Sequence, residues 1–259
     1  MTHAEPVAVV SSEDRKVVAE LLREDLGLRE LPVQLTYLDA PIEGAAKDAG
    51  ALPSVCSFFM TGMTRPVQAP QSDHQECEIG AFVMGIEPKG PLGDRLMGTV
   101  GWMEKVGYLS PGEAMKIPKN AKAPNWVAYA PLGSIPQVPS VVLFTTGPRG
   151  LMLVVEATAL GRPTLPPAPL LARPMCSLVP VLLQGTPVAV SVGCAGSRIN
   201  TEMPDSEVLV GVRGDALMEL ADAVHHLKRA NEQVWKEDVD RRAKSLAAHP
   251  SHAKSHGVS

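Results

Sequence analysis

The sequence PVQLTY at residues 32–37 has a counterpart in PSVVLF at residues 139–144, and this pair of segments decides the predicted fold. Each segment begins with proline, follows a polar stretch and continues in apolar or β-branched residues, a composition typical of β-strands. The two segments therefore indicate that a strand of similar character begins each half of the chain. Chance similarity between two proline-led apolar strands is the alternative.

The cysteines occur in the same order in both halves. Cys-Ser between apolar neighbours comes first, at Cys56 and at Cys176, and a second cysteine with a glycine close behind follows at Cys77 and at Cys194. The intervals within the two pairs are 21 and 18 positions. We therefore predict an α+β protein of two pseudo-repeated halves, which pack about a pseudo-two-fold axis and bring equivalent residues face to face.

Helical periodicity marks both ends of the chain. Residues 11–28 carry an apolar stripe, with Ser12 as the predicted N-cap and Gly27 as the stop, and residues 215–247 form the longest helical pattern. Residues 76–86 read as a buried strand. The predicted mixed-sheet fold is, in chain order, an N-terminal helix at 1–30, a first pseudo-repeat at 31–115, a crossing segment at 116–138, a second pseudo-repeat at 139–212, a long C-terminal helix at 213–248 and a disordered tail at 249–259.

Composition excludes several classes of partner. The net charge is -4, lysines and arginines are scattered, and aromatic residues make up 4%, so we expect no nucleic-acid partner. The most apolar stretch, residues 169–195, is interrupted by Arg173 and by prolines, so we expect no membrane span. The N-terminus lacks the pattern of a secretory signal, and a cytoplasmic location is the expectation. Cysteines stay reduced there, and serve in burial, metal binding or catalysis.

The four cysteines are the candidate metal ligands. If the halves face each other, Cys56, Cys77, Cys176 and Cys194 supply four thiolates, which suit an iron–sulfur cluster, [4Fe–4S] before [2Fe–2S], or a tetrahedral zinc ion. Glycines after the cysteines would let backbone amides approach the sulfurs. The chain has no Cys-x-x-Cys pair, so the spacing leaves open a single reactive thiol or inert core cysteines without any cofactor.

A denser motif lies in the second half, at SVGCAGSR, residues 191–198. Exposed amides around Ser191, Gly193 and Gly196, together with Arg198, form a candidate site for an anionic substrate. The alternative is a tight turn in which Arg198 pairs with Glu202 or Asp205. Two weaker candidates lie near Cys77: His74, as a ligand or proton shuttle, and Glu78, as a general base or a solvent-facing residue.

The pattern Ser-x-Gly-Cys-x-Gly-x-Arg at residues 191–198, followed by Asp-Ser-Glu at 205–207, resembles the bacterial and archaeal family known as domain of unknown function 169. The resemblance covers roughly residues 21–230 and is looser around Cys56 and Cys77. It implies the two-part architecture and the importance of the cysteines. The family name assigns no activity, so the resemblance leaves the chemistry open.

The leading functional hypothesis is a cytoplasmic protein that binds an iron–sulfur cluster. One version of this hypothesis is a redox or lyase-type enzyme that acts on a small anionic molecule. Four cysteine ligands would suit electron transfer, whereas three would leave an iron open as a Lewis acid. The competing hypothesis is a non-enzymatic zinc- or small-molecule-binding module with structural cysteines. A third is a homodimer whose interface is the long C-terminal helix.

Overall fold

The computed structural model describes residues 10–161, 165–201 and 203–248, and the tail predicted at 249–259 lies outside them. Eight strands form one mixed sheet: β1 (Val33–Leu38), β2 (Lys47–Asp48), β3 (Val67–Pro70), β4 (Trp126–Pro131), β5 (Val141–Thr146), β6 (Leu170–Leu171), β7 (Val188–Ser191) and β8 (Val208–Arg213). The helices are α1 (Ser12–Leu26), α2 (Val55–Thr64), α3 (Glu78–Val83), α4 (Gly90–Lys105), α5 (Pro148–Glu156), α6 (Val179–Leu183), α7 (Ala195–Thr201) and α8 (Leu217–Ala248). The α+β class, the mixed sheet and the long C-terminal helix, which has 32 residues, are confirmed.

The two proline-led segments form the centre of the sheet. The strand order is β2-β3-β4-β1-β5-β8-β7-β6, and β1 and β5 are antiparallel neighbours. Outward from this central pair, the pairings on each side are antiparallel, antiparallel and then parallel. Both central strands are largely buried because layers of helices cover the sheet on both faces.

One face of the sheet is covered by α1, α5 and α8. Leu22 of α1, Val154 of α5 and Leu220 of α8 are buried in a common core with Val142 and Val210 of the sheet. The start of α1 is set by Ser11, whose side chain accepts a hydrogen bond from the Asp14 amide, and Gly27 ends the helix with a φ of 63°. This one-residue shift of the N-cap, from Ser12 to Ser11, leaves the predicted helix intact.

The other face of the sheet is covered by α2, α3 and α6. Phe58 of α2, Ala81 of α3 and Leu182 of α6 are buried in a second core with Tyr129 and Leu143 of the sheet. Helices α4 and α7 extend this layer through contacts with α3 and α2, respectively. The four cysteines belong to this face of the molecule.

Two segments differ from the sequence prediction. Residues 76–86 were expected as a buried strand, but a 3₁₀ turn at Gln71–Glu76 leads into helix α3. An apolar run of this length suits a buried strand or a buried helix equally well, so periodicity alone could not separate them. The crossing segment predicted at 116–138 contains β4, which pairs with β1 and β3 and is therefore part of the sheet. Its two alanines and terminal proline weaken the local strand signal.

No helix in the described part of the chain is both long enough and apolar enough to cross a membrane.

Candidate functional site

The four cysteines lie at the beginnings of helical segments on one face of the sheet. Cys56 is the second residue of α2, and Cys77 and Cys194 directly precede α3 and α7. Cys176 lies in a π-helical turn, Pro174–Leu178, that leads into α6. All four are unpaired thiols and are partly exposed. The fold thus brings cysteines that are up to 138 positions apart in sequence (194 minus 56) into one layer.

All four cysteines line the same cavity, which has a volume of about 420 Å³. Most of its other lining residues are apolar, and Arg173 is the only charged residue among the described residues that line it. The remaining lining residues are Ser54, Ile79, Trp102, Met103, Val106, Tyr108, Leu109, Ile117, Ala195, Gly196, Ser197, Ile199 and Asn200. The site is therefore an apolar chamber with thiols in its walls and one guanidinium.

The thiols are not gathered around one point. Within residues 10–161, 165–201 and 203–248, no group of three or more His, Cys, Asp and Glu side chains is placed to hold a single metal ion. A tetrahedral zinc ion binds thiolates at about 2.3 Å, which requires four sulfurs within roughly 4 Å of one another. The four cysteines instead lie at separate positions in the lining of one cavity.

Burial controls the protonation of the thiols. It raises the pKa of Cys56 to about 12, with the neighbouring thiols of Cys77 and Cys194 adding to the shift. Burial also raises the pKa of Cys77, and it raises that of Cys176 well above its usual value. Arg173 acts in the opposite direction on Cys176, because its positive charge favours the thiolate. These three thiols are therefore protonated at neutral pH in the metal-free protein.

Backbone amides approach the sulfur atoms. The Ser197 amide donates a hydrogen bond to Cys194 Sγ at 3.4 Å, and the amides of Val55 and Gly80 lower the pKa of Cys77 by hydrogen bonding. Gly80 lies so close that a Cβ atom there would be 2.8 Å from Cys77 Sγ. The bare backbone at Gly80 therefore lies against the Cys77 sulfur.

Arg198 lies outside the lining of this cavity. Its guanidinium donates hydrogen bonds to the carbonyl oxygens of Val192 and Glu207, at 2.8 and 3.0 Å, and to those of Met203 and Pro204. Asp205 is 3.9 Å from its Nε. An anion at Arg198 would have to displace these hydrogen bonds. The contacts of Arg198 therefore match the second interpretation, in which this residue stabilises a tight turn.

Of the other three residues of the predicted anion site, Ser191 and Gly193 also have structural contacts, whereas Gly196 lines the cavity. The Ser191 hydroxyl donates to the Ala172 carbonyl at 3.0 Å and accepts from the Gly193 amide at 3.2 Å. Gly193 has a φ of 95°, and a Cβ there would be 2.9 Å from Arg198 Nε. Gly196 faces the cavity, with no atom within 4 Å of its Cβ position.

Arg173 is the residue that the sequence interpretation missed. It directly precedes the turn that carries Cys176, and its Nη2 donates to Glu113 Oε1 at 3.1 Å. Its guanidinium carbon is 5.9 Å from the centre of the Tyr108 ring. A signal was present, because Arg173 interrupts the most apolar stretch of the sequence, where an arginine needs a partner or a ligand.

His74 and Glu78 have partners of their own. The His74 ring nitrogens contact the Pro70 carbonyl at 3.0 Å and the Tyr129 hydroxyl at 3.2 Å, and the ring stacks on Phe58 with centroids 4.4 Å apart. Burial lowers the pKa of His74, so the ring is neutral. Glu78 accepts a hydrogen bond from the Thr99 hydroxyl at 2.5 Å. Neither residue lines the thiol cavity.

Fold and site together define the class: this is an α+β protein whose mixed sheet is covered by helices on both faces. One of the two helical layers contains an apolar cavity lined by thiols. The chain belongs to the family described as domain of unknown function 169, an uncharacterised ArCR family, whose model matches residues 21–223. The match includes all four cysteines and confirms the resemblance found in the sequence. Searches of curated proteins and of solved structures found no match.

Proposed function

We propose that this protein binds a [4Fe–4S] cluster in the cavity, with Cys56, Cys77, Cys176 and Cys194 as the candidate ligands. The observation that carries the proposal is that the four cysteines of the chain line one cavity. An inert core cysteine has no reason to share a chamber with the other three. Apolar walls around the thiols also suit a cluster, because exclusion of water is one of the means by which proteins tune its potential.

The spacing of the thiols favours a cluster over a single zinc ion. A zinc ion needs its sulfurs gathered at one point, and no such group is present among the described residues. In a cubane cluster each thiolate binds a different iron at a different corner, so the sulfurs lie further apart. Thiols distributed over the walls of a 420 Å³ cavity fit the second requirement better.

The charges and amides of the site also support the proposal. A cluster held by thiolates is anionic, and Arg173 supplies a positive charge at the cavity wall. Amides near Cys77 and Cys194 are of the kind that hydrogen-bond cluster sulfurs and adjust the potential. Because burial keeps three of the thiols protonated, cluster assembly must release their protons, and its yield should rise with pH.

We further infer that the halves of the chain are structural repeats related about the β1·β5 pair. Support comes from the identical sequence of pairing directions on the two sides of that pair. The cysteines follow the same scheme, because Cys56 and Cys176 precede β3 and β7, whereas Cys77 and Cys194 follow these strands. The inference predicts that cysteine replacements at matched positions have matched effects.

Ligand number decides between electron transfer and substrate chemistry. A cluster with four thiolates is coordinatively complete and suits electron transfer. A cluster with three has an iron that can bind and polarise an oxygen of a small anionic molecule, as a lyase or reductive enzyme requires. Reduced thiols and a cluster both need a reducing compartment, which supports the cytoplasm as the location.

The test is anaerobic isolation, followed by reconstitution with ferrous iron and sulfide. We expect a brown protein with broad visible absorption that bleaches on reduction, and about four irons per chain. Single Cys→Ser replacements should each reduce the iron content, with Cys56 and Cys176 forming one matched pair and Cys77 and Cys194 the other. The control is Ile79→Val, which alters the cavity lining without removing a thiol.

A colourless protein that takes up no iron would overturn the proposal. A colourless protein with one zinc per chain would support the zinc-binding alternative instead. Equal iron content in the wild type and in all four serine variants would show that the iron is bound elsewhere.

We also propose that the exposed end of α8 pairs with a second copy of the chain. Val234, Trp235 and Val239 are large apolar residues on this part of the helix and are 57%, 63% and 53% exposed. The sequence KEDVDRRAK at 236–244 places acids before bases. In an antiparallel pair of identical helices, the acids of one copy therefore face the bases of the other.

A further inference from the structure

We infer that the thiol cavity binds a monocarboxylate with an apolar, preferably aromatic, body, and that Arg173 is the residue that recognises the carboxylate. The inference deepens the proposed function by assigning a ligand class to the same site. Its observations concern lining residues of the cavity other than the thiols, and they hold whether or not a cluster is present.

The apolar part of the ligand is indicated by the cavity wall. Trp102 and Ile199 line the cavity yet are 60% and 79% exposed, and Val106 and Tyr108 are also exposed. Large apolar side chains gathered around a cavity gain free energy when a ligand covers them, by about 25 cal/mol for each Å² removed from water. Aromatic residues at the wall favour a flat partner.

The charged part of the ligand is indicated by Arg173. Only its Nη2 has a hydrogen-bond partner among the described residues, namely Glu113, so Nε and Nη1 have donors to spare. Glu113 is itself held, because its Oε2 accepts the Ser110 amide at 3.0 Å. The ion pair therefore positions the guanidinium at the cavity wall and leaves part of its donor capacity unused.

The charge balance favours a carboxylate over a phosphate. Glu113 already offsets much of the charge of Arg173, and no other described residue lining the cavity is charged. A phosphate dianion generally requires several cations or a glycine-rich amide cradle. One guanidinium that is already paired with Glu113 and has N–H donors to spare matches a single negative charge, as on a carboxylate.

The test uses 2-naphthoate as the probe and 2-naphthylmethanol as its neutral analogue, with calorimetry on the metal-free full-length protein. We expect Arg173→Gln to weaken naphthoate binding at least about tenfold and to leave the alcohol unchanged, since only the carboxylate contact is lost. Arg149→Gln is the matched control, because Arg149 lies over Trp235 on α8 and does not line the cavity.

Glu113→Gln guards against misfolding as an explanation. Removal of the competing carboxylate should strengthen naphthoate binding, and an unfolded variant cannot bind more tightly. Equal naphthoate affinity in Arg173→Gln and the wild type would overturn the inference, as would the absence of binding to the wild type.

Repeating the titration on reconstituted protein separates this inference from the cluster proposal. If naphthoate binding depends on Arg173 but no cluster assembles, the carboxylate-binding inference is supported and the cluster proposal is wrong. If a cluster assembles but neither the metal-free nor the reconstituted protein binds naphthoate, the cluster proposal is supported and the carboxylate-binding inference is wrong.

Discussion

At the scale of single residues, Gly80 is a position where the backbone lies against a thiol. A Cβ there would be 2.8 Å from Cys77 Sγ and would overlap the Val55 side chain. Gly196 follows Cys194 in the sequence as Gly80 follows Cys77, yet open space surrounds its Cβ position. The two glycines therefore offer a matched pair of substitutions.

We expect Gly80→Ala to reduce the free energy of unfolding by about 1–3 kcal/mol, because a tightly packed wall must shift. It should also lower the iron retained after reconstitution. Gly196→Ala should change neither quantity measurably. Urea unfolding of the metal-free variants and iron analysis of the reconstituted ones test this, and equal effects at both positions would contradict it.

The thiols also give the metal-free protein a dependence on alkaline pH. Burial raises the pKa of Cys56 to about 12, whereas an unfolded cysteine ionises near about 8.5. Above that pH the unfolded state loses a proton that the folded state keeps, so the free energy of unfolding falls as pH rises. The slope for one such thiol is at most about 1.4 kcal/mol per pH unit, and less because Cys56 is partly exposed.

Urea unfolding from roughly pH 7 to pH 11 under reducing conditions measures this slope. Cys56→Ala should show a shallower decline than the wild type. The buried Tyr37, whose pKa is also raised, contributes equally to both proteins. The pKa values of Tyr129 and Cys176 are raised in part by Cys56, so the difference reports the Cys56 thiol together with its effect on these two neighbours. Parallel curves would show that the Cys56 thiol is not protected from ionisation.

At the scale of elements, Arg198 joins the end of β7 to the segment that enters β8. Its guanidinium bonds the carbonyls of Val192, Met203, Pro204 and Glu207, which belong to the connections on either side of α7. Without it, these carbonyls lose a donor, and those of Met203, Pro204 and Glu207 lose it in part-buried positions. Arg198 therefore maintains the loop that carries Cys194.

We expect Arg198→Gln to reduce the free energy of unfolding by about 1–3 kcal/mol. The naphthoate affinity of this variant, measured under conditions in which it is fully folded, should stay unchanged. Arg23→Gln is the control, since Arg23 pairs with Glu20 at 2.6 Å on the surface of α1, both side chains are exposed, and a pair of this kind contributes about 0–1 kcal/mol. If Arg198→Gln lost naphthoate binding and the control variant did not, Arg198 would contribute to anion binding and its purely structural role would be contradicted.

At the scale of the whole molecule, α8 divides into two parts. Its beginning is buried against α1 and α5, with Leu220 and Val224 fully covered, whereas from residue 232 onward the side chains described are exposed. An exposed helix of this length with apolar residues gains stability from a partner. The exposed part is therefore the surface on which the proposed pairing of two copies would depend.

Replacing both Trp235 and Val239 with lysine should convert a dimer to a monomer in light scattering, because the apolar contact is lost and positive charge is added. Val17→Lys is the control, since Val17 is an apolar residue on a different helix, α1, and is 64% exposed. A wild-type monomer at all concentrations tested would contradict the proposed pairing.

The prediction from sequence succeeded where local pattern and tertiary environment agree. Residues 32–37 and 139–144 were predicted as strands and form the central pair, and the terminal helices follow their apolar stripes. It failed at 76–86, where an apolar run suited both helix and strand, and at β4, whose alanines and proline carry little strand signal. Arg173 was missed because its role depends on the cavity it lines.

The sequence by itself determined the α+β class, the family and the equivalent order of the cysteines in the two halves, because these properties reside in composition, periodicity and local motifs. Only the tertiary structure decided that the four thiols line one cavity, that Arg173 rather than Arg198 points a charge into its wall, and that β1 and β5 pair at the centre. Distances between residues far apart in the chain follow from how the helices pack on the sheet, and such packing depends on many contacts at once rather than on any one segment.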